Sequence, residues 1–530
     1  FNGMATGVAT VRKAKSDSID INGVLAIPNF HFNDALLGDA NIHINWNSSN
    51  GRICFDNTII EEKGIGYTAV NGFVSPPEKG LDLQIQSKNT NLAFLNKYLN
   101  GILEDVEGRT TGGTRIHGAF KAIDFSGTQN PELKITIPAI GVRFGLDEGV
   151  VSLSPGIFDF SHFRISDKEG NFGEFSGEMT HDHLKNIRYD FLLSEANNLL
   201  LYDKPRSVDM PFYATAYAHG NLRLSGEPGA LRVNADIRPG DDTKFVYIVD
   251  DPSTSSGDSQ LLNFVSEDNN SGGITNHASS VSSSTPQKDS KMHLLFHFDI
   301  NMNPQATLRV ITNPKSGDYL DLYTSGNIQA NFDSKGDFTM QHPLILHGGI
   351  YQMNIQNVIN KKLTFKPGGQ INFNGNPFKA TLNLQAVYTV PSVSLSDLNI
   401  GRRLSSTSTP VNCVFLFSGT AGAPQIDFNF ELPNASDEVE QMVSDLISTE
   451  EDKRMQALYL LGIGRFYTYN YSSTATAENQ SQTTVAMKSF LSSTLSSQLN
   501  SIIQSALPSN NWSFGANLAT GTVGWSDMEI

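Results

Sequence analysis

Few groups in this chain have the spacing that chemistry needs. His181-Asp182-His183 sets two imidazoles on one side of an extended segment, since side chains two apart share a face. Two such rings can begin a metal site, but a structural zinc needs four ligands, and no second cluster accompanies them. The segment reads as a solvated turn, and no metal is expected. Gly462-Ile463-Gly464 lacks the third glycine and the leading strand of a dinucleotide fingerprint. Glu61-Glu62 and Glu450-Glu451-Asp452 suit solvated faces or helix N-termini, where the helix dipole favours negative charge. There is no Gly-x-Ser-x-Gly elbow, no Gly-x4-Gly-Lys phosphate loop and no His-Glu-x-x-His helix. Nothing here calls for an enzyme or a cofactor.

The stronger signal is a pattern of faces. In the segment from Gly348 to Tyr388, the residues Phe378, Ala380, Leu382, Leu384, Ala386 and Tyr388 fall on alternate positions. Lys379, Thr381, Asn383 and Gln385 stand between them. A period of two puts one set on each side of a strand, so one side is apolar and the other wet. The same alternation recurs at Leu81, Leu83 and Ile85, at Leu231, Val233, Ala235 and Ile237, and at Ile328, Ala330 and Phe332. Ile426, Phe428, Phe430 and Leu432 repeat it near the end, and Phe415 with Phe417 adds aromatic bulk. Turn residues such as Asn71-Gly72 and Glu227-Pro228-Gly229 separate the runs at hairpin intervals. The expectation is a mostly antiparallel meander. Gly112-Gly113-Thr114-Arg115-Ile116-His117-Gly118 also resembles Gly220-Asn221-Leu222-Arg223-Leu224-Ser225-Gly226, with Gly326-Asn327-Ile328 as a degraded third copy. Such spacing fits an elongated sheet built from similar strand groups, or two convergent glycine-flanked strands.

Helical spacing arrives late. Val439, Met442, Val443, Leu446 and Ile447 form one stripe, and a second pattern runs from Asp452 to Phe466. A third sets Met487, Leu491, Leu495, Leu499 and Ile502 against a serine face. These helices are expected to pack on the end of the sheet, or else to lie on a membrane or a partner. Residues 251–290 are polar apart from Leu261, Leu262, Phe264 and Val265, and read as a mobile loop.

Composition excludes some partners. The 530 residues carry a formal charge of −16, so the basic stripe that nucleic acid requires is missing. Cys54 and Cys413 are far apart in sequence and read as two small core residues rather than a disulfide. No apolar run reaches the length of a membrane-spanning helix. The chain opens inside a strand-like pattern and closes on another, so it reads as part of a longer protein.

Two blocks carry a family resemblance. The first holds Gly348-Gly349-Ile350-Tyr351, Leu363-Thr364-Phe365, Gly368-Gly369, Ile371-Asn372-Phe373 and Gly375-Asn376-Pro377, followed by the strand to Tyr388. The second holds Ser418-Gly419-Thr420, Pro424, Leu432-Pro433 and the segment from Leu458 to Tyr467. Together they resemble the C-terminal region of TamB proteins, within the AsmA-like envelope group, in the form found in Bacteroidota. The resemblance covers residues 300–505. It implies an all-β fold, an elongated folded-over antiparallel or mixed sheet (a β-taco) with an apolar groove, plus a few amphipathic helices near the C-terminus. It also implies an inner-membrane anchor outside this chain, a periplasmic location reaching the outer membrane, and a TamA-type barrel partner.

The expected division is 1–250 for the first part of the β-structure, 251–290 for the loop, 291–433 for the family-type sheet, 434–505 for the helices and 506–530 for the start of further strands. The expected function is transfer of phospholipid between membranes, with acyl chains carried in the groove. Two alternatives stay open: assembly of outer-membrane proteins with the barrel partner, and a β-solenoid or sandwich without cargo. Candidate groove-lining residues are Leu231, Val233, Ile328, Ala330, Phe332, Phe378, Leu382, Leu384, Ala386, Tyr388, Phe415, Phe417, Ile426, Phe428 and Phe430. Candidate membrane or partner residues are Val439, Met442, Val443, Leu446, Met487, Leu491, Leu495, Leu499 and Ile502.

Overall fold

One hydrogen-bonded ladder runs the length of the molecule. The computed structural model describes residues 4–468 apart from 14–18, 34, 62–63, 100–101, 208–211, 249–292, 315–316, 335–337, 356–358 and 399–407. The ladder begins with β1 (Thr6–Lys13), β2 (Ile19–Phe32), β3 (Ala35–Asn47), β4 (Arg52–Ile60), β5 (Tyr67–Ser75) and β6 (Gly80–Asn91). A short helix α1 (Asn96–Leu99) precedes β7 (Glu104–Ala119) and β8 (Ala122–Ile137). β9 (Val142–Asp147), β10 (Val150–Ser154), β11 (Ile157–Ser166), β12 (Phe172–Asp182), β13 (Lys185–Lys204), β14 (Phe212–Glu227), β15 (Ala230–Pro239) and β16 (Lys244–Ile248) follow. The second part holds β17 (His293–Met302), β18 (Thr307–Asn313), β19 (Asp318–Asp333), β20 (Phe338–Ile355), β21 (Ile359–Phe365), β22 (Gln370–Gly375), β23 (Thr381–Ser394), β24 (Ser408–Thr420) and β25 (Ala423–Glu431). Helices α2 (Asp437–Leu446) and α3 (Glu450–Ile463) close the described chain.

Nearly every pairing is antiparallel, most of them hairpins of consecutive strands, as the alternating runs and their turns dictate. The exceptions are β15 with β17 and β16 with β18, which are parallel. Parallel neighbours need a long return connection. The chain from Ile248 to His293 supplies it, so the polar stretch that interrupts the strand pattern lies where the topology requires a crossover. The expected mobile loop at 251–290 falls outside the described residues.

The sheet is folded over along a line that crosses its strands. Long strands face two short ones: β8 pairs with β10 near Gly127 and with β9 beyond Leu133. In the same way β14 pairs with β15 and β16, and β20 with β22 and β21. The break between each short pair marks the corner. Among the described residues β1 and β25 do not pair with each other, so the ladder is not closed into a barrel.

The sequence repeat sits on this corner. β7, β14 and β19 are each 16 residues long, and Gly112, Gly220 and Gly326 each stand eight residues after the strand's first. Their φ angles are +155°, +122° and +139°, a region closed to most L side chains. A Cβ on Gly220 would stand 2.3 Å from the Asp236 carbonyl oxygen of the neighbouring strand. Ion pairs repeat as well: Arg115 forms a two-bond clamp on Asp82, and Arg223 forms the same clamp on Asp190. In the third copy Gln329 donates to Asp299. These exposed clamps draw the Asp82 and Asp190 carboxyls below their ordinary range through the arginine hydrogen bonds. Their energetic weight is small.

The glycine position is the testable one. Gly220→Ala is expected to cost about 1–3 kcal/mol through a strained φ and a carbonyl collision. Gly23→Ala, where a Cβ meets nothing within 4 Å, should change stability by roughly 0.5 kcal/mol or less. Denaturant melts of the two variants decide the matter; equal losses would show that the corner does not depend on Gly220.

Candidate functional site

Register brings the alternating residues onto one inner face. In the first part, Gly23, Ile44, Phe55, Gly72, Leu83 and Ile116 stand side by side across β2 to β7. In the middle, Phe160, Gly177, Phe191, Leu224, Val233, Phe296 and Phe332 form a row from β11 to β19. Toward the end Leu384 lies beside Phe417, Ala386 beside Phe415, and these lie beside Ile426 and Phe428. Small residues alternate with rings along the rows, and the Phe160 and Phe191 ring centroids meet at 5.5 Å over Gly177. The inner face is therefore a largely apolar floor, and the pairing of β15 with β17 carries its middle row from one part of the sheet to the other.

Coverage of that floor changes along its length. Leu231, Val233 and Phe332 are half-buried, as are Leu83, Ile116, Phe191, Phe296 and Phe298. Toward the C-terminal end Ile328, Ala330, Leu384, Ala386, Phe415 and Phe428 are buried, while Leu382, Tyr388, Phe417, Ile426 and Phe430 are half-buried around them. Phe415 and Phe428 meet edge to face at 5.1 Å. The hydroxyl of Tyr388 accepts from Lys361 Nζ at 2.8 Å, so its polar tip is satisfied while its ring stays on the floor.

Phe378 departs from the pattern. It lies in a 3-10 turn from Pro377 to Lys379, is 50% exposed, and does not belong to β23, which starts at Thr381. Asn376 caps this turn through the Phe378 N–H, and Pro377 fixes its first residue. Local capping thus wins over the extended pattern at this position.

The tightest coverage comes from the helices. α3 starts at Thr449, whose side chain accepts from the Asp452 N–H, and stops at Gly464 in the left-handed conformation. Its Ala457 and Leu461 join the cluster holding Leu384, Ala386, Cys413, Phe415 and Phe428. Leu460 and Phe466 join Val390, Val393, Leu395, Leu398 and Val411 in a second cluster, together with Val439, Val443 and Ile447 from α2 and its C-terminal end. Met442 and Leu446, counted on the same stripe, are instead 38% exposed. They lie one residue off the 439–443–447 line, which is the line that faces the sheet. Met487, Leu491, Leu495, Leu499 and Ile502 fall outside the described residues.

Several residues of the site gave little sign of themselves. Thr68, Ser87 and Gln129 lie on the inner face among the apolar rows near the corner. Thr68 is bonded to Thr90, and Gln129 accepts from Thr110 and donates to Thr114, so this polar strip is satisfied within the sheet. Its members are neutral, whereas Lys361 sets an ammonium over the Tyr388 ring. The α3 residues Ala457, Leu460 and Leu461 had only helical spacing to mark them. A recess of about 230 Å³ at the β11 bulge, lined by Ser161, His162, Glu174, Phe175 and Ser176, is smaller than an ordinary ligand pocket.

The reactive groups are structural. His181 is buried edge-on against Phe125 and Phe158 and accepts from the Leu184 N–H through Nδ1. It is not solvated as expected, because its strand position points it to the inner face. Among the described residues no group of three or more His, Cys, Asp or Glu could hold a metal. The cysteines also divide. Cys413 is buried, but Cys54 is exposed on the outer face between the inward Ile53 and Phe55. Cys54 is therefore not a core residue.

The fold is thus an elongated, mostly β sheet with helices packed on one end. A family profile for the TamB C-terminal domain matches residues 161–524, more than half of the chain. The chain belongs to the TamB family. The match reaches well upstream of residues 300–505. No curated protein and no solved structure matches the chain. Membership places it among the translocation and assembly module proteins, which serve outer-membrane biogenesis, span the periplasm and associate with a TamA-type barrel. Among the described residues no helix is long and apolar enough to cross a membrane.

Burial pushes the Cys413 thiol up to about 12. The thiolate is the reacting form, so Cys413 should resist maleimide at pH 8 in the folded protein while Cys54 is modified quickly. Peptide mapping after a timed pulse checks this, and equal rates would show that the C-terminal cluster is open to solvent.

Proposed function

We propose that the trough carries phospholipid acyl chains between the inner and outer membranes, with the full-length protein anchored in the inner one. The observation that supports this most is the row of half-buried apolar residues Leu224, Val233, Phe296 and Phe332 on the inner face of a sheet that, among the described residues, is not closed. Burying a methylene gains about 0.8 kcal/mol, so a chain of ~16 carbons gains roughly 12 kcal/mol on such a floor. That is close to what the chain loses on leaving a bilayer, so entry is near neutral. Sliding from row to row replaces each apolar contact by an equivalent one. Ion pairs such as Arg223 with Asp190 stay on the outer face and oppose no such movement.

A second reading, assembly of outer-membrane proteins with the barrel partner, is favoured by β25. Among the described residues its outer edge has no paired strand, and a free edge accepts another strand.

Mass spectrometry of lipid carried by the purified protein tests the conduit. Phospholipid is expected at one molecule or more per chain. Val233→Glu, which sets a carboxylate on the floor, should lower that load at least fivefold, while Asn234→Glu on the outer face should leave it unchanged. Lipid-free protein, or equal loads in both variants, would overturn the conduit and leave strand addition at β25 as the better account.

A further inference from the structure

At its C-terminal end the floor is covered by the protein itself. α3 packs on β25 and brings Ala457 and Leu461 into the buried cluster of Cys413, Phe415 and Phe428, which continue the inner face. One polar contact ties the segment after α3 to the turn that follows β23, and another ties that segment back to the helix. Gln456, fully buried, donates from Nε2 to the Tyr467 carbonyl at 3.0 Å and accepts from the Tyr467 N–H at 2.7 Å. Arg465 donates from Nε and Nη2 to the two oxygens of Asp397, at 3.1 and 2.7 Å. Asp397 is only 8% exposed, whereas Arg465 is 63% exposed, so the outer half of this clasp can let go into water. The apolar part of the contact is not specific to a helix. Leucine side chains and a hydrocarbon tail present the same surface to the floor.

We propose that the seat beneath α3 is a terminal acyl-chain site, occupied by the protein's own helix until the Arg465–Asp397 clasp opens. This rests on the conduit reading and adds an end to it. Cargo runs along the open floor of the middle strands and reaches β23 to β25 only by displacing α3. The helix thus competes with the chain for one surface.

Two readouts test it on the whole chain. In a Cys54→Ser background Cys413 is the one thiol and belongs to the buried cluster that α3 completes. Arg465→Ala should speed its maleimide labelling at least tenfold. A sentinel, Val142→Cys with both native cysteines replaced by serine, lies in a separate cluster and should remain protected in the same variant. Its exposure would mean that the variant unfolds; Gln456→Ala, which releases the Tyr467 contact, then replaces it in the same comparison. Next, a diazirine-bearing palmitate is mapped by peptide mass spectrometry. It is expected to label β17 in both proteins and β25 only in the opened variant. Unchanged Cys413 labelling, or label on β25 in the unaltered protein, overturns the seat. Label on β17 without label on β25 after opening also overturns it, and leaves the conduit standing. Absence of label on β17 overturns the conduit itself.

Discussion

Everything in this molecule depends on the pleat staying in phase. Side chains alternate between faces, so a slip of one residue in any strand would turn its inner set outward. The register holds across the ladder from β2 to β25, through bulges and through the parallel seam, with mostly apolar residues and glycine on the inner side and a neutral polar strip at Thr68, Ser87 and Gln129. Where a strand must change walls, the chain uses glycine at positive φ or a break between two short strands. Both devices bend the backbone without shifting the phase. Such phase-keeping holds the apolar set on one side of the folded-over sheet across its described length.

The inner face then settles the division of labour between parts. Through the middle Leu231, Val233, Phe296 and Phe332 are half-covered, whereas Val142, Phe144, Phe163 and Leu193 pack wall against wall into a buried cluster rather than under a separate layer. At the C-terminal end two short helices supply that layer, and the residues below them become buried. The same strand pattern therefore gives an exposed surface in one region and a packed core in another. The difference lies in what sits above the strands.

Much of this was legible in the sequence because period-two alternation is a local property. Leu231, Val233, Ile328, Ala330 and Phe332 show their face without any knowledge of partners. The glycine repeat at 112, 220 and 326 was also visible, although its meaning as a corner needed the pairing of β14 with two strands. Coverage was not legible, since it depends on contacts distant in sequence. Nothing near Leu384 or Phe428 announces that α3 lies over them. Phe378 misled because a proline-started turn can sit within an alternating run, and Cys54 because a small apolar residue was assumed to face inward. His181 was taken for a solvated turn residue, yet its strand phase sends it in among phenylalanines.

The two matching arginine clamps have a consequence for size. From β6 to β13 the ladder advances six strand rows, which at about 4.8 Å per row is roughly 29 Å of length per repeated unit. Most contacts run between neighbouring rows, with β3 to β6 and β9 to β13 bridging the two walls, so inserting or deleting one whole unit would alter reach while keeping the cross-section. A protein built this way can be cut to the width of the compartment it bridges, as a measuring tape is cut, by counting units.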